Sequence, residues 1–155
     1  MDGGTFLLIS LGTNCGGPAK LTEAIKTLRE VFGKVVATPP EETSPLAGTG
    51  ANYFNCVAMA HTALAPQEVK RCLRCIEARL GRDRSTPAIV AIDLDLLLYG
   101  EIIDATLKLP SPDLIERPFC LQPAATLAPE VIHPILGVSL ATLAQQRKKH
   151  EQHSS

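Results

Sequence analysis

The apolar positions of this chain follow two periods. Thr5 to Leu11 is a nearly continuous apolar run of strand length, which predicts a buried strand leaving into the turn-rich loop Gly12-Thr13-Asn14-Cys15-Gly16-Gly17-Pro18. From Leu21 the spacing becomes helical. Leu21, Ile25, Leu28 and Phe32 share one face, and Gly33 stands where a helix stops. Lys34 to Thr38 predicts a short strand, and the Pro-, Gly- and acid-rich stretch from Pro39 to Gly50 an exposed loop. Asn52 to His61 returns to strand character with a polar Asn55 in its middle. A second amphipathic helix has Pro66 near its start, Val69, Cys72, Leu73, Ile76 and Leu80 along one side, and Gly81 at its end. The polar loop Arg82 to Pro87 then leads to a strand from Ala91 to Tyr99.

Strand, helix, strand, strand, helix, strand is the order of an α+β fold with a ferredoxin-like βαββαβ core: an antiparallel sheet with both helices on one face. The rest predicts a smaller C-terminal helical appendix. It has a hairpin arm at Gly100 to Ile103 and a turn at Leu109-Pro110-Ser111-Pro112-Asp113. One or two helices follow between Asp113 and Ala128, interrupted or begun near Pro118 and Pro123. A short helix from Leu140 to Gln146 ends in a frayed polar tail.

Composition narrows the class. A chain of 155 residues, 45% hydrophobic, fits one domain spanning 1–155 with a core that needs neither disulfides nor a structural metal. A net charge of −1 argues against a general nucleic-acid or membrane-surface binder. Five cysteines, an odd number without scaffold spacing, fit a reducing compartment, and no apolar run approaches the roughly 18 residues of a membrane span. The expected location is cytoplasmic. Cys72-x-x-Cys75 lies inside a helical pattern, where it is neither a thioredoxin-like motif nor half of a zinc site, and Cys72 reads as a small core hydrophobe. His61 and His133 lack a partner at metal spacing and read as structural, and His150 and His153 lie in the tail.

The candidate chemistry sits on the last strand. Ile92, Leu94, Leu96 and Leu98 alternate with Asp93 and Asp95, which places the aliphatic side chains on one face and both carboxylates on the other. The aspartates then stand roughly 6.7 Å apart, two steps of rise, and repel unless a cation lies between them. Mg²⁺ takes one or two carboxylates plus water and phosphate oxygens, so the pattern reads as a phosphate-chemistry site. A solvated strand face is the alternative. Arg82 and Arg84 just upstream suit phosphate oxygens or a solvated loop equally, and Asn55 suits a ligand or neighbouring backbone. A ferredoxin-like interaction or regulatory module remains open on spacing alone.

Several motifs in order carry a resemblance. They are Ser10-Leu11-Gly12-Thr13-Asn14, Thr43-Ser44-Pro45-Leu46, Tyr53-Phe54-Asn55, Ile76-Glu77, Gly81-Arg82-Asp83-Arg84, Asp93-Leu94-Asp95, Arg117-Pro118-Phe119, Ala128-Pro129-Glu130 and His133-Pro134-Ile135-Leu136-Gly137. From about Phe6 to Leu143 the chain resembles 6-hydroxymethyl-7,8-dihydropterin pyrophosphokinase of folate biosynthesis. The resemblance implies a monomeric transferase acting on small molecules, moving the terminal diphosphate of ATP to the pterin hydroxymethyl group and leaving AMP. It implies two Mg²⁺ ions on Asp93 and Asp95, with Asp95 nearest the pterin hydroxyl, and Arg82 and Arg84 on a mobile loop over the phosphates. Glu77, Arg84, Ser111 and Arg117 would face the nucleotide. Thr43, Leu46, Tyr53, Asn55 and Phe119 would form the pterin pocket, Phe119 by stacking. Three departures fall on the phosphate side. Val90 stands where the family usually has Arg, the loop from Arg84 to Asp93 is about two residues shorter and lacks a Trp, and Pro110-Ser111 replaces a common Pro-His. A weakly active or inactive paralogue is the alternative these departures raise.

Overall fold

The computed structural model describes residues 4–45 and 50–153. Its central strand is β1 (Thr5–Thr13), followed by α1 (Gly17–Phe32), β2 (Val36–Ala37), β3 (Glu41–Thr43), β4 (Tyr53–Thr62), α2 (Pro66–Arg79) and β5 (Asp93–Tyr99). The appendix contributes α3 (Asp113–Glu116), α4 (Pro118–Leu127) and α5 (Leu140–His153). The sheet runs β2-β4-β1-β5, antiparallel throughout, with β3 also on β4. This is the ferredoxin-like order expected from the chain.

Both faces of β1 are buried, which is why its sequence reads as an unbroken apolar run. Leu7, Ile9 and Leu11 pack under α1 and α2 with Leu21, Leu28, Val69, Leu73 and Ile76. Leu8 packs on the opposite face with Val57, Leu97 and Leu98, beneath Leu114, Cys120, Leu121, Ala124 and Leu140. The appendix is thus the second cover of the sheet.

The structure corrects several boundaries. The expected loop from Pro39 contains β3, which with β2 forms one edge of β4 broken where Pro39 and Pro40 have no N–H to donate. The α1 helix begins at Gly17, earlier than its apolar stripe, and α5 continues to His153. The hairpin arm expected at Gly100 to Ile103 is a turn instead, and a single bridge between Asp104 and Leu109 closes the turn that follows it. Cys72 is half-buried beside α1 rather than in the core.

One correction bears on the site. The β1–β5 pairing shifts between Leu8 opposite Leu98 and Ile9 opposite Leu96, leaving Leu97 as the extra residue of a β-bulge. Past a bulge the alternation changes phase. Leu94 and Leu96 therefore face α1 and α2, whereas Leu98, expected on the same side, packs on the other face with Leu97.

Candidate active site

The sheet face that carries Leu8, Val57 and Leu97 becomes polar at its other end. Ser10 lies opposite Asp95, and Gly12 opposite both Asp93 and Asn55, so three adjacent strands bring these groups together. They floor a cavity of about 550 Å³ whose walls include Thr43, Tyr53, Asp113, Arg117, Phe119, Pro87 and Ala88. Gly12 leaves room for a close approach: a Cβ there would lie 3.0 Å from Asn55 Oδ1. The Asn55 amide donates to the Thr43 hydroxyl at 2.7 Å, which fixes it by a side chain rather than by neighbouring backbone. Phe119 enters from the first turn of α4, where Pro118 is suited to the helix start. Arg117 Nε donates to Asp113 Oδ1 at 3.1 Å.

Asp95 also borders a second cleft, of about 290 Å³, lined by Lys70, Arg74, Thr106, Lys108, Ser111 and Asp113. Burial, then the negative charges of Asp93 and Glu77, push the Asp95 carboxyl up to about 7 against the opposing pull of Arg74. Burial is the largest of these causes, and the neighbouring carboxylates add to it. Burial and the nearby Arg74 and Lys108 cations hold the Lys70 ammonium below its ordinary range, with Asp95 pulling the other way.

The arginines upstream of β5 converge on one buried carboxylate. Glu77, 1% exposed, accepts from Arg84 at 2.6 Å, from Arg74 at 3.2 Å, and from the Leu94 backbone N–H at 2.7 Å. Arg82 donates to the Ile92 carbonyl at 3.1 Å and to Asp93 Oδ1 at 3.4 Å. Glu77 therefore ties α2 to the start of β5 and holds the loop that carries Arg84. That loop is also stapled to the end of β1. Asn14 Nδ2 donates to the Ala88 carbonyl, Asn14 Oδ1 accepts from the Val90 N–H, and the Thr13 hydroxyl donates to the Ala91 carbonyl.

A family model described as 7,8-dihydro-6-hydroxymethylpterin-pyrophosphokinase (HPPK) matches residues 8–129. The chain belongs to the HPPK family. A pyrophosphokinase of this family from Aquifex aeolicus is 33% identical over 132 residues, covering 82% of each chain. The folic acid synthesis protein fol1 of Pneumocystis carinii is 32% identical over 149 residues, covering 92% of this chain but 20% of its own length. The chain spans about 30% of a folate synthesis bifunctional protein of Chlamydia muridarum, at 34% identity over 137 residues and 80% of this chain. The fold is that of solved HPPK-DHPS structures. One in complex with substrates has a TM-score of 0.75 at 11% identity, covering 97% of this chain and 45% of that one. The wild-type Plasmodium falciparum protein has a TM-score of 0.69 at 13% identity, covering 99% and 43%.

Within this HPPK fold, Thr43, Tyr53, Asn55, Asp93, Asp95, Arg117 and Phe119 share the larger cavity, and Asp95 and Ser111 the second cleft. Glu77, Arg82 and Arg84 line neither, being engaged with one another and with β5. Leu46 lies outside the described residues. Sequence reasoning gave no role to Ser10, Gly12, Thr13 or Asn14, although their motif was in view, because their part depends on strand register. Lys70 and Asp113 were missed for a similar reason: each joins the site only through tertiary packing. Among the described residues no group of three or more His, Cys, Asp or Glu side chains could hold a metal, and no helix is long and apolar enough to cross a membrane.

Proposed function

We propose that this chain transfers the terminal diphosphate of ATP to 6-hydroxymethyl-7,8-dihydropterin, giving AMP and the pterin diphosphate for folate synthesis. The observation that carries this reading is the position of Asp95, at the wall shared by a ring-sized cavity with an aromatic side and a cleft lined with cations. In the larger cavity Phe119 offers a face for the pterin ring, and the Asn55 amide, held by Thr43, reads its hydrogen-bonding edge. Tyr53 closes the side. The hydroxymethyl oxygen attacks the β-phosphorus of ATP and gives up its proton, the bond from that phosphorus to the α–β bridging oxygen breaks, and AMP departs.

Asp93 and Asp95 suit Mg²⁺, which is content with one or two carboxylates when water and phosphates complete its shell, and a cation beside them would relieve their mutual repulsion. The reading takes two ions there, which would clamp the phosphates in line and neutralise developing charge. Arg82 is paired with Asp93 at the start of β5 and Arg84 with Glu77, so the exchange of these carboxylates for phosphate oxygens would cover the nucleotide and exclude water. Glu77 positions both arginines, and Arg117 and Ser111 complete the nucleotide side. The protein acts as a monomer on these small molecules.

The test is AMP formation by the purified chain from ATP, Mg²⁺ and the pterin, with Asp95→Ala as control. AMP that requires pterin and disappears in the variant is the expected result. Folded protein that releases none above the variant's background would overturn the assignment and leave the weakly active or inactive paralogue.

A further inference from the structure

The nucleotide side lacks two side chains that the family resemblance leads one to expect. Val90 is 7% exposed, with its N–H donated to Asn14 Oδ1 and its carbonyl accepting from the Asn14 N–H. The Ser111 hydroxyl accepts from the Asp113 N–H at 3.2 Å. Neither offers a cation. The cleft beyond Asp95 nevertheless has three, from two elements: Lys70 and Arg74 from α2, and Lys108 from the turn that the Asp104–Leu109 bridge closes.

These cations are not equivalent. Arg74 is paired with Glu77 at 3.2 Å. Lys70 Nζ donates to the Leu107 carbonyl at 2.6 Å and so ties the turn to α2. Asp104 Oδ1 accepts from the N–H groups of Thr106 and Leu107, fixing the same turn from within. At its end Lys108 has φ 56°, a left-handed conformation uncommon for a side chain other than glycine. Among the described residues its ammonium has neither an ion pair nor a hydrogen-bond partner. A turn braced at two points thus presents an unpaired cation to a cleft that ends at a candidate metal ligand.

We propose that Lys108 binds the phosphates of the nucleotide in this chain, and that Lys70 is a positioning residue holding the turn that delivers it. Together they supply the positive charge absent at Val90 and Ser111. The inference rests on the nucleotide half of the proposed function and not on the identity of the acceptor.

Titration calorimetry with α,β-methylene ATP and Mg²⁺ tests it without turnover. Losing one charge-assisted phosphate contact makes Lys108→Met bind about tenfold to a hundredfold more weakly, while Lys108→Arg keeps most of the affinity. Lys70→Met weakens binding in the otherwise native chain and adds little in the Lys108→Met background, a non-additivity that a purely structural Lys70 would not produce. Circular dichroism and thermal midpoints verify that each variant is folded. Lys108→Met binding within twofold of the native chain overturns the proposal, and AMP formation by the native chain would then leave the proposed function standing. Lysine-dependent binding by a chain that makes no AMP supports the proposal and sinks the pterin reading. A native chain that does not bind the analogue overturns the proposal outright.

Discussion

The two spaces that meet at Asp95 are built in different ways. The larger cavity rests on strand register: Ser10, Gly12, Asn55, Asp93 and Asp95 occupy facing positions on three paired strands, and Thr43 and Phe119 close on them from β3 and α4. The smaller cleft is assembled from one helix face and one turn, with Lys70 and Lys108 far apart in sequence. Groups held by paired strands have little freedom to drift without breaking the ladder. A cation at the end of a long side chain can reach the same phosphate from several starting points. The ring-binding side can therefore keep its residues in place while the phosphate side changes the source of its charge.

Asp95 belongs to both spaces, so its loss has the largest effect. Asp95→Asn should lower AMP formation by on the order of a thousandfold, because charge stabilisation at the transferring phosphorus is removed. The same change relieves a buried carboxylate of repulsion from Asp93 and Glu77, so the metal-free variant should unfold at a higher temperature than the native chain. An inactive variant that is also less stable would mean that Asp95 has a structural partner beyond those described. Phe119→Ala divides the two spaces. It should raise the KM for pterin about tenfold through lost stacking and burial and leave the KM for ATP within twofold. Equal shifts in both constants would break the distinction. Gly12→Ala is milder. Its Cβ would press on Asn55 Oδ1, so a severalfold rise in pterin KM with unchanged affinity for α,β-methylene ATP is expected.

How much of this was legible in the sequence follows the same division. The element order and the carboxylate pair are local, and the period-two pattern reports which face of a strand each residue takes, whereas the ring-side residues came from the family resemblance and their meeting depends on register. The position of Leu98 was misread because a bulge at Leu97 leaves no mark in an apolar run. β3 was hidden in a Pro-rich segment whose pairing with β4 depends on the fold. The resemblance turns Glu77 toward the nucleotide, but its burial beneath the Arg82–Arg84 loop, where three arginines and a strand N–H compensate its charge, is tertiary and leaves no mark in the sequence. Lys108 reaches the cleft only through the turn geometry, which no spacing in the sequence reports.

The smallest expected effect on either space comes from a buried histidine that lines neither of them. His133 is 3% exposed, and its Nδ1 accepts from the backbone N–H groups of Ile135 and Leu136 at 3.3 and 3.2 Å. An accepting nitrogen must be unprotonated, and burial holds the imidazole below its ordinary range. The unfolded chain therefore takes up this proton first as the pH falls through about 6.5. Since the unfolded state binds more protons there, stability from His133 is fully present above that pH and lost on acidification until the folded imidazole also titrates. His133→Ala should lower stability at neutral pH by about 1–3 kcal/mol, for two amides left without their acceptor, and should flatten this acid limb in urea melts. Because the loop from His133 to Gly137 lines neither space, the nucleotide and pterin KM values of the folded variant should match those of the native chain. A change in either constant would show that the appendix couples to the site through α4, and the separation of the two spaces would then hold only at the sheet.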